Sequence, residues 1–397
     1  MKLSSRAMKM EPSATLAVTA KAKELKRAGK PVISFGAGEP DFASPPAALE
    51  AARAAMDRGE THYTPGSGIV ELREAVCGYY QDRFGLSYEP TQVLVGSGAK
   101  PLVYEAFSCI LDPGDEVLLF APAWVSYVEQ IRLCDGREVV VDTAGTDYIP
   151  RLEDVRRAVT DRTRAILINT PCNPTGVVYD GDLLRGLAAI AEEHDLWIIF
   201  DEIYERLTYG GKAHENLVAL VPEAKERTIV INGVSKAFAM TGWRIGYALG
   251  PKAVMDKMAA LQGHLTSNAC SISQWASVGA LQGADDDVRT MHAAFEDRRN
   301  LIVDRLLAMP HIAFAPPEGA FYAFVDVRAC LGMKHDGQSL DDDVTFCSRL
   351  LEAEYVAAVP GSAFLAPGFL RFSYANAKEE IEEGMKRFHR FLEQLRP

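Results

Sequence analysis

Three short apolar runs near the middle of the 397-residue chain end in residues able to hold or move charge. Ala165–Ile168 runs into Asn169-Thr170-Pro171-Cys172-Asn173-Pro174-Thr175-Gly176. Trp197–Phe200 ends in Asp201-Glu202-Ile203-Tyr204. Thr228–Ile231 ends in Asn232-Gly233-Val234-Ser235-Lys236, with Thr241-Gly242-Trp243-Arg244 just beyond. In open α/β sheets ligands bind at the carboxyl ends of strands, where loops present polar groups at a rigid edge. The pattern therefore predicts one crevice onto which an amide, a carboxylate, a phenol, an amine and a guanidinium converge.

A ligand with a pyridine ring, an aldehyde and a phosphate uses such a set. A lysine amine condenses with the aldehyde. A carboxylate keeps the pyridine nitrogen protonated, so that the ring serves as an electron sink. Tyrosine and asparagine bond a ring oxygen, while arginine and backbone N–H groups at a helix start hold the phosphate. Singly, each residue has an ordinary structural role: an Asp at a strand end caps a helix, a Lys after a strand faces solvent, and Asn before Pro forms a turn. The combination carries the reading.

These residues need elements to position them. Short β-branched or apolar runs occur at Val93–Val95, Glu116–Phe120, Glu138–Val141, Ala165–Ile168, Trp197–Phe200, Thr228–Ile231 and Arg244–Leu249. Helical patterns at Lys100–Ile110, Asp182–Glu193 and Lys252–Leu261 lie between several of them. Alternation of this kind predicts an α/β fold with a mainly parallel central sheet flanked by helices. Upstream, Thr15–Arg27 reads as an amphipathic helix, followed by the apolar run Val32–Phe35 and the helical patterns Ala47–Arg58 and Ile69–Arg83. A long helix, Val288–Ala308, opens a mixed tail that ends in the helix Lys378–Leu392. The expected division is a large α/β domain over 46–285 and a small α+β domain from 1–45 and 286–397. The length prior of roughly 150 residues per domain agrees with two.

Composition removes other classes. The chain carries 42 basic and 54 acidic residues, a formal charge of −12, with no Lys/Arg-rich run, so nucleic acid is not an expected partner. Seven scattered cysteines form no CxxC pair, which fits a reducing compartment. No apolar run reaches the ~20 residues of a membrane span, and the start has no apolar signal core. A cytoplasmic enzyme without a metal is expected. Gly96-Ser97-Gly98 lacks the third glycine of a dinucleotide turn, and no GKS or GKT phosphate loop is present.

Asn232–Tyr247 (NGVSKAFAMTGWRIGY) closely resembles the lysine segment of fold-type I, class I aminotransferases dependent on pyridoxal phosphate, most of all the bacterial aspartate aminotransferase subgroup. Further matches run in the same order along nearly the whole chain: GAGEPDF (Gly36–Phe42), YTP (Tyr63–Pro65), LDPGDEV (Leu111–Val117), NPTG (Asn173–Gly176), DEIYE (Asp201–Glu205), EGAFY (Glu318–Tyr322) and RFSYA (Arg371–Ala375). The resemblance implies that Lys236 is the Schiff-base lysine and the proton carrier between substrate Cα and cofactor C4′. It implies that Asp201 pairs with the pyridinium nitrogen, and that Tyr204 and Asn173 contact the ring's 3-oxygen. Arg244, Gly98, Ala99 and Ser235 would hold the phosphate, with Lys100 in the same loop and Tyr63 reaching in from a second subunit of a homodimer. Trp124 would stack on the ring. Arg371 would clamp the substrate α-carboxylate, assisted by the Gly38 backbone.

Two departures line the expected pocket: Gly98-Ala99-Lys100-Pro101 where relatives more often carry GGKQ or GAKQ, and Pro122-Ala123-Trp124 where PYW is common. The implied ligands for a second substrate carboxylate are Lys100, Ser13 and Thr15. Those same positions serve prephenate in some relatives, and Glu11 stands in the subgroup's MKPSAT segment. The expected activity is ping-pong transfer between aspartate or glutamate and a 2-oxo acid (2-oxoglutarate or oxaloacetate). The alternatives are an aminotransferase for aromatic amino acids or prephenate, or a lyase of the same fold. A regulator built on this fold would need an added DNA-binding module, for which the sequence leaves no segment. Thr266 and Ser267 match residues that cross the subunit interface in relatives.

Overall fold

The computed structural model describes residues 2–4, 7–8, 10 and 14–397. Its centre is a seven-stranded sheet. After the short strand β1 (Ile33–Ser34), the chain supplies β2 (Val93–Gly96), β3 (Glu116–Ala121), β4 (Arg137–Asp142), β5 (Thr163–Asn169), β6 (Trp197–Asp201), β7 (Thr228–Gly233) and β8 (Gly246–Leu249). The spatial order is β2-β8-β7-β6-β5-β3-β4. All neighbours are parallel except β8, which runs antiparallel to both β2 and β7. β3, β6 and β7 are apolar along almost their whole length and buried on both faces, as parallel strands covered by helices must be. β4, at one edge, is mostly exposed and carries Arg137 and Glu138, which discourage further strand pairing.

The last residues of β5 and β6 are side by side, with Asn169 opposite Asp201, and Asp201 in turn opposite Ile231 of β7. From β3 the chain moves outward to β4 and then returns to the other side of β3 as β5. The order therefore reverses between β3 and β5, and a crevice forms at their carboxyl ends. Helices Ala14–Arg27, Pro46–Asp57, Val70–Phe84, Ala99–Ile110, Gly181–Glu193 and Lys252–Leu265 match the expected helical patterns within a few residues.

A second sheet, in the order β14-β15-β10-β9, is built from β9 (Ala313–Phe314), β10 (Tyr322–Asp326), β14 (Val359–Pro360) and β15 (Phe369–Ser373). β11 (Lys334–His335) and β12 (Gln338–Ser339) form a separate hairpin. The N-terminal run closes on this part of the chain, because β1 pairs in parallel with β13 (Val356–Ala357). Phe35 packs edge-on against Phe372, in a core shared with the helices Asp285–Leu307 and Lys378–Glu393.

Among the described residues, four helices of seven or more residues escape the sequence patterns: Val125–Leu133, Leu152–Ala158, Ser271–Gly283 and Asp343–Glu354. In Ser271–Gly283 small and polar residues (Ser273, Gln274, Ala276, Ser277, Ala280) are the buried ones, so no apolar stripe marks the inner face. Gly279 explains the choice of small residues, since a Cβ there would lie 2.4 Å from the Ala47 carbonyl oxygen. The expected strand Arg244–Leu249 begins only at Gly246, because Arg244 turns into the left-handed region at φ 57°.

Three glycines of adjacent strands, Gly96, Gly246 and Gly233, stand in register at the carboxyl ends of β2 and β7 and the amino end of β8. The loop leading into the helix Ala99–Ile110 lies directly on the middle one. A Cβ at Gly246 would sit 2.3 Å from the Ala99 amide nitrogen and 2.5 Å from the Gly98 carbonyl carbon. Gly246→Ala is expected to destabilise the fold by about 1–3 kcal/mol, because backbone, not a flexible side chain, must yield. A urea unfolding midpoint equal to that of the unaltered chain would refute the close approach.

Candidate active site

Between the ends of β3, β5, β6 and β7 lies a cavity of about 340 Å³. It brings together twelve of the residues singled out from sequence: Thr15, Gly38, Ala99, Lys100, Trp124, Asn173, Asp201, Tyr204, Ser235, Lys236, Arg244 and Arg371. Gly98 stands beside it, in the left-handed region at φ 101°, where a Cβ would collide with Arg244 Nη2 at 2.3 Å. Tyr63 is 90% exposed and is not part of this wall. Ser13, with Glu11, lies outside the described residues.

Lys236 occupies the short helical turn Val234–Ala237 that follows β7, and its Nζ donates to the Gly38 carbonyl at 2.6 Å. Burial is the main force lowering its pKa to about 8, with Arg244, Arg371 and Lys100 acting in the same direction and Glu39 opposing them. Near neutral pH the amine is therefore far easier to deprotonate than an ordinary lysine.

Asp201, the last residue of β6, is 4% exposed. Tyr127 donates its hydroxyl to Oδ2 at 2.6 Å, and the Ile203 amide donates to Oδ1 at 3.2 Å. Burial raises the carboxyl pKa to about 6; these two hydrogen bonds pull it down and the nearby Glu202 pushes it up. Asn169 braces the same strand end. Its Nδ2 donates to the Asp201 carbonyl at 3.0 Å, and its Oδ1 accepts the Asn173 amide at 3.0 Å.

Arg371, on β15, is 2% exposed and sits between the rings of Tyr322 (4.4 Å) and Phe364 (4.9 Å). Nη1 donates to Asn173 Oδ1 at 2.9 Å and Nη2 to the Gly36 carbonyl at 3.0 Å, while Nε is buried without a partner. Both acceptors are neutral, so among the described residues this buried guanidinium has no counter-charge. Tyr204 and Tyr322 join hydroxyl to hydroxyl at 2.9 Å, and burial raises both phenols, keeping them protonated.

The third side of the cavity is the start of the helix Ala99–Ile110, whose free N–H groups favour an anion. Arg244 lies against it and donates to the carbonyls of Thr241 (3.0 Å) and Ser97 (3.4 Å). Lys100 is exposed but lines the cavity: its Nζ stands 4.8 Å from the centroid of Trp124, and partial desolvation followed by Arg244 lowers its pKa. Trp124 in turn meets Tyr127 edge-on at 5.1 Å. Among the described residues, two lysines and two arginines thus line the cavity with a single carboxylate, Asp201. In a chain of net charge −12 this is a local excess of positive charge, suited to small anions.

Tyr127, Asn169 and Tyr322 were not among the residues assigned roles from sequence. Tyr127 had a signal, since it stands one helical turn after Trp124. Tyr322 belongs to the quoted EGAFY segment, but nothing local shows that its hydroxyl meets Tyr204.

The Asp201 shift has a stability consequence. A carboxyl raised from 3.8 to about 6 favours the folded chain fully below pH 3.8, and that contribution is lost as the pH rises through 6. The ligand-free Asp201→Asn variant is therefore expected to be more stable than the parent near neutral pH by about 3 kcal/mol, from two pKa units. The gain should shrink below pH 6 and be gone near pH 4. Denaturant unfolding at both pH values reads it; the same difference at each would show that the buried charge is not its source.

A family model described as aminotransferase class I and II matches residues 30–388. The aspartate aminotransferase of Geobacillus stearothermophilus is 45% identical over 394 residues, covering 99% of each chain. The aspartate/prephenate aminotransferase of Thermus thermophilus is 43% identical over 394 residues, covering 98% of each. Among solved structures, the Thermus thermophilus aspartate aminotransferase with maleate superposes with a TM-score of 0.93 at 42% identity, over 99% of this chain and 100% of that one. The aspartate aminotransferase of Rhizobium meliloti gives 0.95 at 40% identity, over 100% of both.

Proposed function

The chain belongs to the class I and II aminotransferases, and from that membership we propose that it moves an amino group between aspartate or glutamate and a 2-oxo acid, using pyridoxal phosphate. The observation that carries this reading is the half-buried Lys236 amine, lowered to about 8, sharing one cavity with a buried carboxylate and an arginine that has no counter-charge among the described residues.

The cavity fits the cofactor on its donor set. Asp201 suits a protonated ring nitrogen. Tyr204 donates a proton to the ring's 3-oxygen, joined by Asn173 through Nδ2, since Asn173 Oδ1 is already taken by Arg371. The Ala99 amide, Ser235 and Arg244 hold the phosphate beside Gly98, where any side chain would displace the guanidinium. When bound, pyridoxal phosphate supplies an aldehyde carbon that combines with amines and a ring that accepts the electron pair left at Cα.

The chain's own residues do the rest. Arg371 Nε and the remaining guanidinium N–H groups meet the substrate α-carboxylate, with the Gly38 backbone beside them, and fix the Cα–H bond. Lys236, as a neutral amine, takes the Cα proton and delivers it to C4′ of the cofactor. Trp124 covers one face of the ring. The oxo acid leaves before the second substrate enters, a ping-pong order. Lys100 and Thr15, whose Oγ1 is buried without a partner among the described residues, stand on the same wall and suit a second carboxylate. Because relatives include enzymes named aspartate/prephenate aminotransferase, prephenate is the second acceptor to test.

We further propose a large domain over 46–285 and a small one from 1–45 and 286–397. The exposed Tyr63 ring supports a homodimer in which it reaches the partner's phosphate site. A cytoplasmic location is proposed with it; among the described residues no helix is long and apolar enough to cross a membrane.

Borohydride treatment of the cofactor-loaded protein should fix the ring on Lys236. Aspartate or glutamate alone should then convert unreduced enzyme to the pyridoxamine form. Conversion by neither amino acid would overturn the substrate assignment. Arg371→Lys, which replaces a two-pronged donor by a point charge, should raise KM for the amino donor about 10–100-fold, the equivalent of one charged hydrogen bond. An unchanged KM would remove Arg371 from the substrate site.

A further inference from the structure

Directly after Asp201 stands a second carboxylate with no place in the mechanism above. Glu202 is 0% exposed and does not line the cavity. Successive side chains at a strand end point to opposite faces of the sheet. Asp201 accordingly turns to the cavity and Glu202 turns to the helix Val70–Phe84. There, Glu202 Oε1 accepts from the Tyr80 hydroxyl at 2.5 Å, while Oε2 accepts from Asn216 Nδ2 at 3.0 Å and pairs with His214 Nε2 at 2.7 Å.

Proton accounting shows what Glu202 is. Tyr80 oxygen accepts from Asn232 Nδ2 at 3.3 Å and gives its single proton to Glu202. Asn216 Oδ1 is occupied by the amides of Val218 and Ala219, so its Nδ2 faces Glu202 as a donor. With the His214 Nε2 proton placed toward Glu202, three donors converge on its two oxygens. The pocket is built for an anion. His214 Nδ1 is buried without a partner, and the imidazole lies stacked on Phe200 and edge-on to Phe84.

We propose that Glu202 is a second buried anion acting through Asp201 on the proton shared between Asp201 and a heteroaromatic nitrogen in the cavity. This rests on the cofactor assignment of the preceding subsection. Glu202 is a positioning residue: it touches neither cofactor nor substrate. Its charge lies across the sheet from Asp201, where little water screens it. It makes Asp201 a stronger proton acceptor, as the upward push of Glu202 on the Asp201 carboxyl indicates. The same network reaches the lysine side of the site, since Asn232, which bonds Tyr80, also accepts the Gly233 amide at 2.7 Å, three residues before Lys236.

The test compares two ligands: pyridoxal phosphate and its analogue with carbon in place of the ring nitrogen. Dissociation constants are measured by equilibrium dialysis on the full chain. Glu202→Gln preserves the shape, since its carbonyl can accept from His214 and Asn216 while its amide donates to the Tyr80 oxygen. In the parent, pyridoxal phosphate should bind more tightly than the analogue. In Glu202→Gln that preference should fall about 10-fold, with analogue binding unchanged. Equal weakening of both ligands would show a merely structural role, and an unchanged preference would show that the charge is not felt; either overturns the proposal. If Glu202→Gln fails to fold by circular dichroism, the double variant Glu202→Leu, Tyr80→Phe removes the carboxylate together with its shortest donor and is read by the same ratio. Tyr80→Phe alone keeps the charge and should keep the preference; its loss there would also overturn the proposal. Parent protein that binds neither ligand would instead overturn the cofactor assignment itself.

Discussion

Taking an amine, a guanidinium and a carboxylate out of water together costs several kcal/mol for each group that is not repaired by partners. Much of the structure around the cavity answers that cost. Lys236 keeps one short bond to a backbone carbonyl and gives up proton affinity. Asp201 keeps two donors, from Tyr127 and the Ile203 amide, and gains proton affinity. Arg371, whose guanidinium stays charged at any physiological pH, is held by two neutral oxygens and two aromatic faces. Among the described residues the residual imbalance is positive, which suits an anionic ligand.

The segment Gly36–Ser44 is where this electrostatic problem meets the architecture. Its carbonyls receive Arg371 at Gly36 and Lys236 at Gly38. Its side chains tie it to both parts of the chain. Glu39 accepts from Thr241 and Ser44 from Trp243 on one side, and Asp41 accepts both terminal nitrogens of Arg298 on the other. Gly38 has no alternative, since a Cβ there would fall 2.6 Å from the Tyr322 hydroxyl oxygen. One loop thus touches the Lys236 amine, the Arg371 guanidinium and the long helix Asp285–Leu307.

A parallel order underlies the reach of the site. Asp201, Asn169 and the residues leading to Lys236 arrive from three neighbouring strands, so small rotations of the sheet would move them as a group. Arg371 arrives from a different sheet. Its meeting with Asn173 at 2.9 Å is thus a contact between two layers of the molecule, fixed by packing of β15 and β10 as much as by the hydrogen bond.

The apolar runs of β3, β5, β6 and β7, and the polar residues at their ends, were legible in sequence because continuous burial on both faces requires continuous apolar character. Strand-end chemistry then followed from position, and the motifs around Lys236, Asp201 and Arg371 named the family. Tyr127, Asn169 and the Glu202 network were not legible as parts of the site. Tyr80 and Glu202 stand 122 residues apart, and a Tyr in an amphipathic helix looks the same whether its hydroxyl meets water or a buried carboxylate. The antiparallel direction of β8 was hidden as well, since a short apolar run carries no mark of its direction. Sequence alone settled which groups are available and which elements carry them, because periodicity and side-chain chemistry are local. The fold decided which groups lose their water and which partner each one meets, because desolvation and long-range hydrogen bonding exist only once the chain has closed on itself.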